Sequence, residues 1–422
     1  MTRRLIRGEI VSFDRADAAP THIEDGAILV SDGRIAAVGD WSAMADPAIR
    51  VDDWRGLIVM PGFIDPHVHF PQAQATAAYG EQLLEWLQRH VFPEEARFAD
   101  PEHAAAIAPR FFDALIAHGV TTACAFGSSH PQAIDAWFAE AERRGLRMIG
   151  GKVMMDRNAP AEILDTAERG AEETAALIAR WRGRGRLDVA ISPRFAITST
   201  DEQLRLAGEL AATHPDALIQ THLAESRAEI DLACSLFPAA RDYTDIYARF
   251  GLLGPRSLMG HCIHLSPRER AAMAEAGAVA VFCPTSNLFL GSGLFDLHGL
   301  QAEGVRVAIA TDIGAGTSWG LPATLGAAYQ IGQLQGRSLH PFAAFAMATA
   351  GNAAALGLSD RIGRVAPGHE ADLVVLDPAA TPQMRLRAER AETLADRLFL
   401  IQTLGDDRAV AQVYVAGRPA KA

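Results

Sequence analysis

The sequence predicts an α/β protein in which a (β/α)8 TIM-type barrel is joined to a small β-sandwich domain built from both termini. Eight short apolar runs alternate with helix-like stretches, and both ends of the chain carry short β-like runs. The apolar runs are residues 57–69, 119–130, 146–156, 187–197, 217–226, 257–266, 278–287 and 305–316. Their nearly continuous apolar cores are typical of strands that are buried on both faces of a parallel sheet.

Helices are predicted between these runs. The stretches 101–119 and 131–145 both begin with proline and end at glycine, which is a common order of residues at helix ends. Strands and helices that alternate eight times over roughly 300 residues predict a (β/α)8 barrel, which we place at residues 59–360.

The two ends of the chain are predicted to form one domain. Residues 1–58 have Asp-Gly turns between short β-like runs, and residues 361–422 have Pro-Gly and Ala-Gly turns between similar runs. Neither end alone holds enough strands for a stable sheet, so we expect a shared β-sandwich domain. The helical stretch 382–403 is expected to pack on the outside of this domain.

The composition predicts a cytoplasmic protein that binds neither nucleic acid nor a membrane. The formal net charge is −12 at pH 7, and an acidic surface repels phosphate backbones. The first residues contain no apolar segment of signal-peptide length, and the uncharged stretch 341–358 is expected to be a buried helix turn and loop, broken at Gly351–Asn352. The cysteines are widely spaced, which indicates reduced thiols: Cys124, Cys234, Cys262 and Cys283.

Polar residues interrupt several apolar runs at their carboxyl ends, where barrel enzymes carry their catalytic groups. The first run ends in His67 and His69, the fifth in His222 and Glu225, the sixth in His261 and the eighth in Asp312. Positions i and i+2 of a strand point to the same side, so the first two histidines both face the barrel mouth. Imidazoles and a carboxylate that converge there favour a zinc-class or iron(II) cation.

Each of these elements also has a simpler explanation. A His-x-His pair on a strand can be a surface or structural pair, and an aspartate such as Asp312 can cap the following helix. The joint placement at the ends of the first, fifth, sixth and eighth runs is what favours a metal site. Cys262 and Cys283 are expected to be buried thiols and not ligands.

Eight motifs follow one another along the chain: PGFIDPHVHFPQ, GEQLLEWL, GKVMMDRNAP, SPRFA, THLAE, GHCIHLS, FCPTSNLFLGSGLF and TDIGAGTS. In this order they resemble the guanine deaminases of the amidohydrolase superfamily, and the resemblance covers essentially the whole chain. The HxH and HxxE patterns are shared across that superfamily, whereas HFPQ together with PRF is the more specific signature.

The resemblance implies hydrolytic deamination of guanine to xanthine and ammonia by a homodimer. It implies that one divalent metal, Zn²⁺ or alternatively Fe²⁺, is bound by His67, His69, His222 and Asp312. Glu225 would carry the proton between the nucleophile, the ring and the leaving amine. His261 and Asp312 would orient the hydroxide, and His261 would also contact the substrate.

The resemblance also implies how the base is recognised. Gln72 and Arg194 would bind the polar edge of guanine, and Phe195 would contact it through its backbone or by packing. Binuclear relatives carry a carboxylated lysine where this chain has Arg194, so a single metal is expected. The glycine-rich segment 290–299 is a candidate lid.

Two alternatives stay open. Another aminohydrolase of the superfamily, acting on an oxidised purine, a pterin or a triazine, would use the same metal ligands, although Gln72 with Arg194 and Phe195 argues against it. A non-catalytic homologue that serves in assembly is disfavoured, because such proteins typically lose metal ligands and this chain keeps them.

Overall fold

A computed structural model of the protein describes residues 3–15, 19–80 and 82–421. Its strands are β1 (Arg3–Ser12), β2 (Thr21–Ser31), β3 (Arg34–Asp40), β4 (Arg50–Pro61), β5 (Phe63–His69), β6 (Val120–Phe126), β7 (Arg147–Gly151), β8 (Val153–Met154), β9 (Leu187–Val189), β10 (Ser192–Pro193), β11 (Ile219–Leu223), β12 (Ser257–His261), β13 (Val279–Phe282), β14 (Arg306–Ile309), β15 (Leu373–Leu376), β16 (Val410–Val415) and β17 (Arg418–Pro419). The extreme ends of the predicted terminal domain, its residues 16–18, and Glu81 of the motif GEQLLEWL lie outside the described residues.

The α-helices are α1 (Trp41–Met44), α2 (Leu83–Trp86), α3 (Phe92–Ala96), α4 (Pro101–Ala117), α5 (Pro131–Arg144), α6 (Ala167–Trp181), α7 (Asp201–Thr213), α8 (Arg227–Leu236), α9 (Tyr243–Arg249), α10 (Pro267–Ala276), α11 (Pro284–Phe289), α12 (Leu297–Ala302), α13 (Leu321–Leu334), α14 (Pro341–Ala346), α15 (Asn352–Ala355), α16 (Pro382–Ala388) and α17 (Leu394–Leu404). Short 3-10 turns cover Phe70–Gln72, Arg97–Ala99, Ala161–Ile163, Ala196–Thr198 and Asp407–Ala409, and π-helical turns cover Leu87–Val91 and Met347–Gly351.

The strands from the two ends of the chain pair with one another. Within the described residues they form a seven-stranded sheet in the order β17-β16-β15-β4-β1-β2-β3. β1 is parallel to β4, and β15 is antiparallel to both β4 and β16, so segments far apart in sequence meet in the middle of the sheet. One face buries apolar side chains such as Ile6, Ile28, Val59, Leu373 and Val375. This burial is the main stabilisation of the sheet.

The eight apolar runs of the sequence all contain strands, and the result is a mixed α/β fold with parallel sheets. Two four-stranded sheets have the orders β5-β6-β7-β9 and β11-β12-β13-β14 among the described residues, and β8 pairs with β10. The pairs β7–β9, β8–β10, β11–β12, β12–β13 and β13–β14 are parallel.

The first apolar run is divided, which the sequence did not predict. Residues 57–61 belong to β4 of the terminal sheet, and β5 begins after Gly62. A Cβ atom at Gly62 would lie 2.2 Å from Thr121 Oγ1, so only glycine fits at the point where the chain passes from one strand to the next.

Backbone hydrogen bonds connect the ends of further runs. The amide of Asp312 donates to the carbonyl of His67 (2.9 Å), so the residues after β14 lie beside the end of β5. The amide of His222 donates to the carbonyl of Arg194 (3.1 Å), so β11 lies beside the residues after β10. These contacts join the end of the first run to the eighth run, and the end of the fourth run to the fifth.

The predicted helices 101–119 and 131–145 are α4 and α5, and α5 ends at Gly145 with a left-handed φ of 67°. The predicted break at Gly351–Asn352 is wrong, because a π-helical turn carries α14 into α15 without interruption. Asn352 is tolerated there because its side-chain amide donates to the carbonyl of Ile64 (2.7 Å). In the described part of the chain, no helix combines the length and the apolarity that crossing a bilayer requires.

The chain divides into two compact units. One comprises residues 1–65, 112–122 and 319–422 and contains the seven-stranded sheet. The other comprises residues 66–111 and 123–318 and contains all the site residues predicted from the sequence.

Candidate active site

Three imidazoles and a carboxylate form a buried cluster at the carboxyl ends of β5, β11 and β14. They belong to His67 and His69 in β5, His222 in β11 and Asp312, which follows β14. Nε2 of His69 lies 3.2 Å from Nε2 of His222 and 3.2 Å from Oδ1 of Asp312. Nε2 of His67 lies 3.4 Å from the same aspartate oxygen. All four side chains are nearly removed from solvent. The pair His67 and His69 reaches the cluster because alternate strand positions share a face.

The hydrogen bond made by the His222 ring leaves a lone pair on its Nε2, which faces Nε2 of His69. Nδ1 of His222 lies 2.7 Å from the carbonyl oxygen of Arg194, which can only accept, so Nδ1 donates and Nε2 keeps its lone pair. Burial lowers the pKa of His69 to about 4, so this ring is neutral as well. Burial also lowers the pKa of His222 well below its ordinary value.

This donor set fits a divalent cation. Two neutral imidazole nitrogens only 3.2 Å apart repel each other unless a proton or a cation lies between them. Although burial opposes ionisation of Asp312, hydrogen bonds from His67 and His69 hold the pKa of this carboxyl well below its usual value. Neutral nitrogens and one carboxylate are ligands that Zn²⁺ and Fe²⁺ both accept.

Cys283 lies closer to this cluster than the sequence suggested. Its sulfur is within 4.8 Å of possible ligand atoms of His67, His261 and Asp312. The thiol is buried and donates to the carbonyl of Val281 at 3.5 Å. It is therefore a buried thiol, as expected, although its position also qualifies it as a ligand.

Two of the site residues are held in a strained backbone conformation. His261 and Asp312 have φ values of 71° and 53°, in the left-handed region that residues with a side chain rarely adopt. Such a conformation costs about 1 kcal/mol or more and persists where the surrounding structure enforces it. Next to His261, the amide of Cys262 donates to the carbonyl of Leu223 (2.8 Å), which ties the strained residues to β11.

Glu225 is a buried acid beside the cluster. Burial, together with the nearby charge of Asp312, raises the pKa of Glu225 to about 8, so its carboxyl is mostly protonated at neutral pH. Ser292 Oγ donates to its Oε1 (2.9 Å), and Nε2 of His261 lies 3.4 Å from its Oε2. Nδ1 of His261 donates to Oδ1 of Asn287 (3.0 Å), so its Nε2 is left as the acceptor that faces Glu225.

The turn that carries Glu225 is held by a glutamate that the sequence analysis did not identify. Oε2 of Glu229 accepts from the backbone amides of Glu225 (2.7 Å) and Ser226 (3.1 Å). These bonds belong to a capping box at the start of α8, in which Ser226 Oγ accepts from the Glu229 amide. The Ser-x-x-Glu spacing is visible in the sequence and could have identified this cap.

Gln72 and Arg194, which are predicted to bind the base, both form hydrogen bonds with Glu95. NH1 of Arg194 donates to both carboxylate oxygens of Glu95 at 2.8 Å, and Nε2 of Gln72 donates to Glu95 Oε1 at 2.9 Å. The guanidinium also lies 5.5 Å from the centre of the Phe92 ring. Gln72 points here because a 3-10 turn follows His69 directly. No periodic signal in the sequence distinguishes Glu95 from Glu94.

Side chains from the histidine cluster, the buried acid and the Gln72–Arg194 pair line one cavity. Nearly all the predicted site residues line it: His69, Gln72, Arg194, Phe195, His222, Glu225, His261 and Asp312. His67 lies in the adjoining histidine cluster, with its ring centre 4.9 Å from that of His222. Leu83, Trp86 and Leu87 supply apolar walls. Leu290 lines the cavity and Ser292 bonds Glu225, so the predicted lid segment 290–299 contacts the site at its start.

The sequence and fold match known proteins over nearly their whole length. The model of the Amidohydrolase family matches residues 58–420. The guanine deaminase of Escherichia coli strain K12 is 45% identical over 427 residues, which cover 99% of this chain and 97% of that protein. A solved structure of the E. coli guanine deaminase has a TM-score of 0.95 at 42% identity and covers 100% of this chain and 99% of its own.

Two further structures carry ligands. A guanine deaminase from C. acetobutylicum with bound guanine in the active site is 29% identical, with a TM-score of 0.91 and 99% of each chain covered. An adenosine deaminase from Xanthomonas campestris with bound zinc is 25% identical, with a TM-score of 0.84, and covers 99% of this chain and 92% of its own. The chain therefore belongs to the amidohydrolase family and, within it, to the guanine deaminases.

Proposed function

We propose that this chain catalyses the hydrolytic deamination of guanine to xanthine and ammonia, with one divalent metal ion, Zn²⁺ or alternatively Fe²⁺. The observation that carries the proposal is that a buried His/Asp cluster, a protonated glutamate and a Gln/Arg pair all border one cavity. The relatives named guanine deaminase, one of them with bound guanine, support it. We further propose a cytoplasmic homodimer that acts in purine catabolism.

His67, His69, His222 and Asp312 would hold the metal. When bound, the cation would supply Lewis acidity that lowers the pKa of a water molecule to about 7. The zinc-bound relative supports a metal of this class.

Glu225 would move the proton that the reaction needs. An amino-substituted ring carbon is a poor electrophile until the neighbouring ring nitrogen is protonated, and a carboxyl with a pKa of about 8 can donate that proton. Water would then add to C2 of guanine and give one proton to the Glu225 carboxylate, while His261 and Asp312 accept hydrogen bonds from it. Glu225 would pass that proton to the amino nitrogen. As the C2–N2 bond breaks, the hydroxyl on C2 would return its proton to Glu225 and become the carbonyl of xanthine, and ammonia would leave.

Gln72, Arg194 and Phe195 would recognise the base. Arg194 donates hydrogen bonds, which suits the carbonyl oxygen of guanine, and the carbonyl oxygen of Gln72 accepts them, which suits a ring N–H group. A buried site built to hydrogen-bond a substrate can reject analogues without the matching group by about ten thousand-fold. Phe195, whose ring centre is 6.1 Å from that of His222, would pack against the purine.

We also propose that the parallel strands close into a (β/α)8 barrel over residues 59–360. The backbone bonds that join the end of β5 to the residues after β14, and the residues after β10 to β11, support this closure. Residues 1–58 and 361–422 would form the β-sandwich domain, which the shared seven-stranded sheet supports.

Ammonia release from guanine by protein loaded with Zn²⁺ or with Fe²⁺ tests the function. We expect turnover to xanthine, its loss on chelation, and its recovery when metal is restored. Metal-loaded protein that leaves guanine intact but deaminates a pterin, a triazine or an oxidised purine would contradict the substrate assignment. Metal-loaded protein without any aminohydrolase activity would contradict the reaction.

A further inference from the structure

Glu95 bonds two side chains that line the cavity, Gln72 and Arg194. It lies on α3, is 1% exposed, and accepts one hydrogen bond from Gln72 and two from Arg194. Its neighbour Glu94 faces away and pairs with Arg97 at 2.8 Å, an arginine whose side chain is 50% exposed. One of two adjacent acids is therefore buried and bonded to two side chains that line the cavity.

These bonds determine which atoms the cavity presents. A carboxylate only accepts, so Glu95 holds the amide nitrogen of Gln72 and leaves the carbonyl oxygen at the other end of the amide. A flipped amide would set two acceptors against each other. Gly314 provides the space for this orientation, because a Cβ atom there would lie 2.2 Å from Oε1 of Gln72.

The same carboxylate orients the guanidinium. Both bonds from Arg194 to Glu95 use NH1, so NH2 and Nε are left to donate elsewhere. The ring of Phe92 lies 5.5 Å below the guanidinium carbon and limits its rotation. The backbone of Arg194 is held as well, since its carbonyl accepts from His222.

Stability alone is a weak explanation for this arrangement. A buried ion pair is often no more stabilising than apolar residues of similar volume, because two charges lose their hydration. A buried pair that also orders a third polar group fits a role in specificity better, since a polar group ordered in advance loses less entropy on binding.

We propose that Glu95 is a positioning residue. It orients Gln72 so that its carbonyl oxygen accepts a hydrogen bond from the purine, and it orients Arg194 so that its guanidinium donates one; we call this arrangement the hydrogen-bond polarity of the site. This polarity selects a 2-amino-6-oxopurine, which carries a C6 carbonyl beside N1–H, over 2-aminopurine, which lacks both groups. The inference rests on the proposed function and deepens it by naming what enforces the choice of purine.

The test compares metal-loaded wild-type protein with Glu95→Gln, and uses Glu94→Gln as the matched control on the same helix. The variables are kcat and KM for guanine and for 2-aminopurine. A glutamine at position 95 whose oxygen takes the place of Oε1 turns its amide nitrogen toward NH1 of Arg194, so a donor faces a donor and the guanidinium loses its fixed orientation. We expect kcat/KM for guanine to fall about 30-fold or more, the guanine to 2-aminopurine ratio to fall about 10-fold, and Glu94→Gln to change neither beyond about twofold.

Two further variants and measurements keep the result interpretable. Glu95→Asp retains the charge and should recover part of the ratio, whereas thermal unfolding and metal content report whether the fold and the metal site are intact. Equal losses for both purines in Glu95→Gln, with the ratio unchanged, would mean that Glu95 only stabilises the fold and would overturn the proposal.

The experiments distinguish a failure of the proposed function from a failure of the role proposed for Glu95. Wild-type protein that releases no ammonia from guanine contradicts that function but not the role of Glu95. Crystal structures of the wild type and Glu95→Gln then decide, since displaced Gln72 and Arg194 side chains support positioning by Glu95 and unchanged ones exclude it.

Discussion

Two buried glutamates have opposite surroundings: Glu225 lines the cavity, and Glu95 bonds Gln72 and Arg194, which line it. Glu225 is flanked by Ser292, by Nε2 of His261 and by the carboxylate of Asp312, and its pKa is raised to about 8 by burial and by the charge of Asp312. Glu95 receives two hydrogen bonds from a guanidinium and one from an amide. We call the first group the proton-transfer side and the second the recognition side.

Because the two glutamates are similarly buried, the difference between their predicted roles comes from the groups that surround them. Both side chains are about 2% exposed or less. A carboxyl without a cationic partner keeps its proton and can donate it, whereas a carboxylate paired with arginine orders its donors. Substitutions on the two sides should therefore affect different kinetic quantities.

The largest expected effect is on the proton-transfer side. Glu225→Gln keeps the size and the hydrogen bond to Ser292 but removes the transferable proton, so kcat for guanine should fall about a thousand-fold or more. KM should change little, because the recognition side is untouched. Steady-state kinetics on metal-loaded protein measure both, with metal content as the control. A variant that keeps a tenth of wild-type kcat would exclude Glu225 as the proton carrier.

Arg194→Lys should weaken the binding of guanine by the recognition side. Lysine keeps the positive charge but loses the planar donor set that meets Glu95 and the base, so kcat/KM for guanine should fall about 10- to 100-fold, mainly through KM. The control is Arg97→Lys, which alters the exposed pair with Glu94 and should leave guanine kinetics unchanged. A fall in kcat with KM unchanged would contradict the assignment of Arg194 to substrate recognition, because it would show an effect on the chemical step instead.

The two sides also differ in how far the sequence predicts them. His67, His69, His222 and Asp312 follow apolar strands, so a periodic pattern leads to them, and the structure brings them within hydrogen-bonding or near-contact distances. Their roles stay a prediction until metal binding is measured. The existence of the strands could be predicted for the same reason, since each one depends on a local apolar pattern.

The partners of these residues could not be predicted. Glu95 and Glu94 are adjacent acids on a helix of five residues, and only tertiary packing decides which one is buried. Asn287 and Ser292 lie about 26 and 67 residues from the groups they bond, in loops and short helices that have no periodicity. Gly62 divides an apolar run because of a threonine that is distant in sequence.

A smaller effect is expected from Ser292→Ala. Loss of one neutral hydrogen bond to Glu225 should cost about 1 kcal/mol, which corresponds to a fall in kcat of about 3- to 10-fold. Ser235→Ala is the matched control, because its exposed hydroxyl only bonds the carbonyl of Leu232 within α8. Unchanged kcat in Ser292→Ala would show that the start of the segment 290–299 does not orient Glu225.

The smallest expected effect on catalysis comes from Glu229, which should instead alter the pH dependence of stability. Burial raises the pKa of Glu229 to about 7, whereas the carboxyl of an unfolded chain loses its proton near pH 4.5. Between these values the folded protein binds more protons than the unfolded chain, so the free energy of unfolding falls as pH rises. The slope approaches about 1.4 kcal/mol per pH unit for one proton.

Glu229→Gln removes this titration but keeps an oxygen that can accept from the backbone amide of Glu225. Denaturant unfolding of the wild type and the variant between pH 5 and about 7 should therefore show a shallower decline in the variant, while the other titrating groups cancel in the difference. Parallel curves would mean that Glu229 is ionised throughout, with its charge neutralised by the amides of the capping box. The proton-transfer side would then contain a fixed negative charge next to Glu225, and that charge, rather than burial alone, would keep Glu225 protonated.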